Sequence, residues 1–212
     1  MKKPHFKFER EIAAAGFQLI AGVDEVGRGA WAGPLLAAAV ILPLHLRRLH
    51  NLGIKDSKML AAKKREELFV EICELGIDYS VGLVEVCELN KWGLGRGTRL
   101  AMQRAVDGLK RKPDFILVDG RKVQFSKIPS RSVVHGDTLS LSIAAASIVA
   151  KVTRDKLVAE IGRAKYPEYR FEVHKGYGTK LHQAMIRKFG ICDFHRKLFK
   201  PIQLLEQEII NA

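Results

Sequence analysis

The chain has 212 residues, 47% of them hydrophobic, which supports one buried core and excludes a disordered segment. Its formal net charge of +13 points to a polyanionic partner, and residues 151–212 alone carry 13 Lys or Arg against 7 Asp or Glu. No apolar run reaches the ~18 residues of a membrane span. The charged start of the chain develops no secretory apolar core. The three cysteines, Cys73, Cys87 and Cys192, form no CxxC pair, which argues against a disulfide framework or a structural zinc site and for a reducing cytoplasm.

In chain order, residues 17–23 and 35–42 are short apolar runs on either side of a glycine-rich connection and read as strands, as does 77–86 with its β-branched residues. Residues 60–75 repeat apolar side chains at helical spacing, turn Lys63, Lys64, Arg65, Glu66 and Glu67 outward, and meet Gly76 as a C-cap. Residues 98–109 predict a second amphipathic helix, 114–118 a short buried strand, and 139–161 a longer helix whose first half is small and apolar. After a polar stretch at 163–169, two further helices are expected at 180–189 and 202–210. Strands first, then alternating helix and strand, predict an α/β fold with a mixed sheet and helices packed on it. No heptad seam calls for a partner copy, so a monomer is expected.

Carboxylates close three separate apolar runs. Asp24 and Glu25 end the first and are followed at once by Arg28 between Gly27 and Gly29; Asp119 follows Phe115-Ile116-Leu117-Val118, and Asp137 follows Val133-Val134-His135-Gly136. Ligands of open α/β sheets sit beyond strand ends. A hard divalent cation takes a few carboxylates and keeps water for substrate oxygens, and two such ions can flank an in-line displacement at phosphorus. Adjacent strand residues point to opposite faces, so Asp24 and Glu25 reach one metal only if the strand bends or Glu25 offers its carbonyl. Each acid also reads as a turn residue or a cap, and Asp137 before Thr138 and Leu139 reads equally as the cap of the next helix.

The flanking glycines let backbone amides approach a sugar or phosphate, and the run fits neither a dinucleotide fingerprint nor a P-loop. Lys55-Asp56-Ser57-Lys58 precedes a helix and reads as a phosphate contact or as a cap with solvated lysines. Ser142, Ser147 and Lys151 lie in a helix of small residues, where the serines read as packing groups unless that helix faces the site. No two histidines have H-x₃-H spacing, which disfavours a catalytic zinc; His135 and His174 are left as assisting or structural groups. Tyr177, between glycines in a basic loop, suits stacking on a sugar or base.

Taken in order, Asp24-Glu25-Val26-Gly27-Arg28-Gly29, Asp56-Ser57-Lys58, Val118-Asp119-Gly120, Gly136-Asp137, residues 142–155 and Lys175-Gly176-Tyr177-Gly178-Thr179 closely resemble ribonuclease HII, the type 2 ribonuclease H family, from about residue 22 to 201. The resemblance implies a ribonuclease H-like mixed sheet flanked by helices, with a catalytic core over 1–162 and a C-terminal helical extension over 163–212 in the same folding unit. It implies an endonuclease that hydrolyses the RNA strand of RNA:DNA hybrids. It also implies incision 5′ of single ribonucleotides in duplex DNA, with Mg²⁺ or Mn²⁺, leaving 5′-phosphate and 3′-hydroxyl ends. Carried over by position, Asp24, Glu25, Asp119 and Asp137 become the catalytic, metal-binding acids. Gly27, Arg28 and Gly29 read the ribose 2′-hydroxyl and its phosphate, Tyr177 senses the RNA-to-DNA junction, and Lys58, Ser142, Ser147 and Lys151 join the substrate contacts. Ala30-Trp31 and Leu198 depart from the family's usual text.

Overall fold

The computed structural model describes residues 3–211 apart from 47, 50–51, 55–56, 121–124, 126–127 and the side chain of Met59. Lys55 and Asp56, half of the predicted phosphate-contact cluster, therefore lie outside the described residues. Contacts divide the chain into two compact units: Met1–Val26, Leu36–Leu83 and Arg99–Val152 form the first, and Gly27–Leu35, Val84–Thr98 and Thr153–Ala212 the second.

The elements are α1 (Lys7–Ala14), β1 (Ile20–Val26), β2 (Leu35–Ile41), α2 (Ala62–Leu75), β3 (Asp78–Val84), α3 (Val86–Asp107), β4 (Phe115–Asp119), β5 (Ser130–Val133), α4 (Leu141–Lys165), α5 (Phe171–His174), α6 (Lys180–Phe189) and α7 (Lys200–Ile210). The sheet has the order β3-β2-β1-β4-β5. It is mixed, as expected: β1 is antiparallel to β2 and parallel to β4, and β4 is parallel to β5. Every residue of β2 is buried, the mark of a strand covered on both faces.

In the first unit, Ala38 and Val40 of β2 pack with Leu68 and Ile72 of α2 and with Ala144, Ala145, Ile148 and Val149 of α4. A fully buried Leu or Ile contributes roughly 1.5–3 kcal/mol, so this layer anchors the sheet. The small residues of α4 have a steric cause: Gly22 on β1 lies so close to the backbone of Ser142 and Ile143 that a Cβ there would collide. The helix thus rests directly on the strand that carries Asp24. A second cluster joins Ile12, Ile20, Leu117, Val133 and Ile143. In the second unit, Ala32, Val86, Val158, Tyr169, Phe171 and Phe194 form one core cluster, and Ile186, Ile202 and Leu205 another.

Two expectations change, and two elements, β5 and α1, stand where the sequence pattern predicts none. Gly76 does cap α2, but in extended conformation (φ −66°, ψ 150°) rather than the left-handed one; a Cβ there would stand 2.8 Å from the Ile72 carbonyl oxygen. The helix expected at 98–109 begins at Val86 and is broken at Gly93 (φ 75°, ψ 169°), because the glycines at 93, 95 and 97 disguise its first part as loop. β5 has no apolar run of its own and forms by pairing with β4. α1 is short and carries a buried glutamate, Glu9, where the helical pattern wants an apolar residue. Among the described residues no helix is long and apolar enough to cross a membrane.

Candidate active site

The parallel register of β1 and β4 pairs Ile20 with Phe115 and continues to Val23 with Val118. The next residues on the two strands are Asp24 and Asp119. In-register neighbours on adjacent parallel strands share a face about 4.8 Å apart, so two apolar runs distant in sequence deliver two carboxylates to one end of the sheet. Asp24 is 5% exposed, and its carboxyl is pushed well above the ordinary carboxylate range. Burial is the largest cause, followed by the charges of Glu25 and Asp119. Two hydrogen bonds oppose the shift, from the Ser147 hydroxyl and from the Glu25 backbone N–H, which donates to Asp24 Oδ1 at 2.7 Å.

Asp119 is linked to the turn that carries Asp137 through the backbone. Its Oδ1 accepts from the Gly136 N–H at 2.6 Å, which ties the end of β4 to the 3₁₀ turn Gly136–Thr138 that carries buried Asp137. Gly136 has no room for a side chain, since a Cβ would stand 2.6 Å from Ile143 Cδ1 and 3.2 Å from Asp119 Oδ1. The helix-cap reading of Asp137 is not realised: α4 is capped by Ser140, whose Oγ accepts from the Ile143 N–H at 3.2 Å.

The two serines of α4 separate. Ser147 donates to Asp24 and stands 3.0 Å from Ser57 Oγ, so a relay from Ser57 through Ser147 holds the Asp24 carboxylate. Ser142 is 1% exposed and gives both its hydroxyl (2.6 Å) and its N–H (3.0 Å) to Glu9 Oε1, a carboxylate also held by Ser140 at 2.6 Å. The structure therefore does not bring Ser142 to the acids; it belongs to the anchor between α1 and the start of α4. Lys151 is half-buried one helical turn beyond Ser147 on the same side of α4. Lys58 is exposed and follows Ser57 directly in the 3₁₀ turn Ser57–Met59.

Among the described residues no three His, Cys, Asp or Glu side chains are arranged to hold a metal ion as they lie. Asp24 and Asp119 each give an oxygen to a backbone N–H instead. The chemistry of the donors nonetheless fits a hard divalent cation, because the group offers carboxylate oxygens and neither sulfur nor imidazole. Burial and neighbouring anions oppose ionisation of Asp24, and a cation among those acids removes the opposition.

In the second unit, the Gly27–Leu35 segment is shaped by two arginines that sequence reasoning missed. Arg154, 0% exposed, donates to the carbonyls of Pro34 (2.9 Å), Lys175 (3.0 Å) and Ala32 (3.1 Å). Arg196, 3% exposed, donates to those of Gly27 (2.6 Å), Gly33 (2.9 Å) and Pro34 (3.0 Å). Burial, then the Arg154 charge, pulls Arg196 down to about 9. Gly27 adopts φ +87°, and a Cβ on it would strike the Arg154 guanidinium. Arg28 and Gly29 are exposed, with nothing within 4 Å of where a Gly29 Cβ would sit.

Tyr177 joins this segment. It pairs with Ala30 in an antiparallel bridge, and Gly176 accepts from the N–H groups of Trp31 (2.8 Å) and Ala32 (3.2 Å). The Arg154 guanidinium stands 5.3 Å from the centre of the Tyr177 ring. Trp31, one of the two departures, packs its ring against Gly178; Leu198, the other, is exposed. His135, in the left-handed region at φ 56°, is exposed, and His174 is buried behind the tyrosine loop.

The ribonuclease HII family model matches residues 21–202. A ribonuclease HII from Desulfitobacterium hafniense is 46% identical over 195 residues, spanning 92% of this chain and 74% of that protein. The ribonuclease H2 of Pyrococcus horikoshii superposes with a TM-score of 0.78 at 26% identity, over 92% of this chain and 100% of its own. A Bst ribonuclease HIII, solved in complex with Mn²⁺, shares the fold with a TM-score of 0.70 at 20% identity, over 92% and 71%. The mixed sheet and its helices are thus the ribonuclease H-like arrangement.

Proposed function

The chain belongs to the ribonuclease HII family, and from that premise we propose how its residues divide the work of an endoribonuclease. Its activity is that of a ribonuclease H, hydrolysis of the RNA strand in RNA:DNA hybrids, and the family depends on divalent metal. In the proposed assignment Asp24, Glu25, Asp119 and Asp137 bind the metal and carry the chemistry. The observation that carries it is the arrival of Asp24 and Asp119 at one sheet end, with the Asp119 turn presenting Asp137.

Mg²⁺ or Mn²⁺ bound by these acids supplies, as a pair of ions, an activated water and stabilisation of the departing 3′-oxygen. The protein's own groups do the rest. Ser147, backed by Ser57, donates to the Asp24 carboxylate and favours its charged form. Lys151 and Lys58 attract the phosphates of the strand. Gly27, Arg28 and Gly29 meet the ribose 2′-hydroxyl and adjacent phosphate; only that hydroxyl distinguishes RNA from DNA at one nucleotide. Tyr177 stacks at the RNA-to-DNA junction. The predicted outcome is incision 5′ of a single ribonucleotide in duplex DNA, leaving a 3′-hydroxyl and a 5′-phosphate, in addition to cleavage of longer RNA runs.

The division into a catalytic core over 1–162 and a helical extension over 163–212 belongs to the same proposal, as does action as a monomer in the cytoplasm, for which the free thiols of Cys73, Cys87 and Cys192 speak. The test is a 5′-labelled duplex carrying one ribonucleotide beside its all-DNA twin, each incubated with EDTA, Mg²⁺ or Mn²⁺. Incision of the first duplex alone, and only with metal, is expected. Cutting of the all-DNA twin, or cutting in EDTA, overturns the reading.

A further inference from the structure

We propose that His182 and His195, with His174 stacked beside them, form a hydrogen-bonded relay that fixes the Tyr177 backbone and so aims its ring, making them positioning residues for recognition of the junction. The inference rests on the assignment of Tyr177 above.

The three rings lie behind the tyrosine loop in the second unit, with His182 and His195 at 0% exposure and His174 at 6%. His195 Nδ1 stands 2.9 Å from the Cys192 backbone N–H, a group that can only donate, so this nitrogen carries a lone pair and the proton sits on Nε2. The Cys192 carbonyl, 3.3 Å from the same nitrogen, receives nothing from it. His195 Nε2 lies 3.1 Å from His182 Nε2, a distance with room for one proton, which His195 supplies. His182 therefore holds its own proton on Nδ1 and donates it to the Tyr177 carbonyl at 3.0 Å. The Tyr177 carbonyl only accepts, which likewise makes His182 Nδ1 the donor. His174 is fixed independently, with Nδ1 accepting from the Gly176 N–H (3.2 Å) and Nε2 donating to the Tyr169 carbonyl (2.8 Å). Its ring stacks on His182 with centres 4.2 Å apart.

One tautomer of each ring satisfies all of these bonds except the 3.3 Å approach of His195 Nδ1 to the Cys192 carbonyl, and any added proton breaks one. Burial, the largest cause, holds His182 down to about 3 and His195 to about 4, so the relay stays neutral at physiological pH. The Tyr177 carbonyl also accepts from Thr179 N–H at 2.8 Å, while Tyr177 N–H donates to the His174 carbonyl at 2.9 Å. The backbone on both sides of the ring is thus tied to the histidine-bearing segments. A stacking residue earns selectivity only when its ring is already in place, and this relay supplies that placement from behind.

Two measurements test the proposal. A long-range ¹H–¹⁵N spectrum of the intact protein should show His182 as the Nδ1–H tautomer and His174 and His195 as Nε2–H; an imidazolium or the opposite tautomer at any of the three near neutral pH overturns it. The second is the ratio of kcat/KM on a duplex with one ribonucleotide to kcat/KM on continuous RNA in a hybrid, read for His182→Phe, His182→Asn and Tyr177→Ala. Asn places an amide donor where Nδ1–H was, so His182→Asn should keep the ratio, whereas His182→Phe should lower it about fivefold, the worth of one hydrogen bond. Equal loss in both variants makes His182 a space-filling residue and overturns the relay. An unchanged ratio in Tyr177→Ala defeats the assignment of Tyr177 itself; a change there with none in His182→Phe defeats the relay alone.

Discussion

Arg196 Nη1 donates to the Gly27 carbonyl at 2.6 Å across 169 positions of sequence, and with Nε on Gly33 and Nη2 on Pro34 this one side chain holds both ends of the Gly27–Leu35 segment. Hydrogen bonds from a charged donor contribute roughly 1.5–3 kcal/mol each. Arg196→Met is therefore expected to lower the unfolding free energy by on the order of 4 kcal/mol. Arg196→Lys, which cannot fork to three carbonyls, should recover less than half. Denaturant titration of the three proteins checks the order, and a Lys variant as stable as wild type contradicts it.

Gly136→Ala tests the link between Asp119 and the Asp137 turn. The added methyl meets Ile143 Cδ1 and Asp119 Oδ1, so the turn must shift at a cost of about 1–3 kcal/mol, the usual range for overpacking. Because the shift moves two of the proposed ligands, the metal concentration for half-maximal cleavage should rise as well. Loss of stability with unchanged metal dependence would separate Asp137 from the site.

Asp24 carries a sign that distinguishes function from stability. Its folded carboxyl titrates well above the ordinary value of 3.8, so between those two points the folded chain binds more protons than the unfolded one. The contribution of Asp24 to the stability of the metal-free protein therefore falls as pH rises through that window and stays lower above it. Asp24→Asn removes the buried charge and is expected to raise the melting temperature at neutral pH in EDTA while abolishing cleavage. A lower melting temperature for the variant under those conditions contradicts the assigned electrostatics.

The acids were legible in the sequence because an Asp directly after an apolar run encodes both a strand and its chemical end, and the parallel register does the gathering. The arginines were not. Arg154 and Arg196 are two among 36 Lys and Arg, and what marks them, backbone carbonyls that reach them from elsewhere in the chain, is absent from their local text. Ser142 and Ser147 illustrate another limit: five positions apart they lie some 140° apart around a helix, yet a helix start built of small residues on every side has no apolar stripe to say which serine faces the strand. The histidines likewise lack ligand spacing, and only folding reveals that residues 182 and 195 are bonded.

Histidine burial predicts an acid limb. His182 and His195 titrate near 6.5 when unfolded and are held to about 3 and about 4 when folded, so below pH ~6.5 the unfolded chain takes up protons that the folded chain refuses. The contribution of these two histidines to the unfolding free energy should fall progressively from about pH 6.5 to about pH 3, by on the order of a few kcal/mol in total. The His182→Phe variant should show a shallower fall than wild type, and a variant curve parallel to the wild-type one would contradict the buried, neutral relay.

In the proposed function Asp24 and Asp119 act on the scissile phosphate through bound metal rather than holding the sheet end together. Single-turnover cleavage of a one-ribonucleotide duplex by Asp24→Asn and Asp119→Asn, run beside fluorescence binding of the same duplex, tests it directly. Cleavage should fall by roughly a hundred- to a thousandfold, as for a missing electrostatic catalyst, with binding within a few-fold of wild type. Cleavage near the wild-type rate by both variants would contradict it.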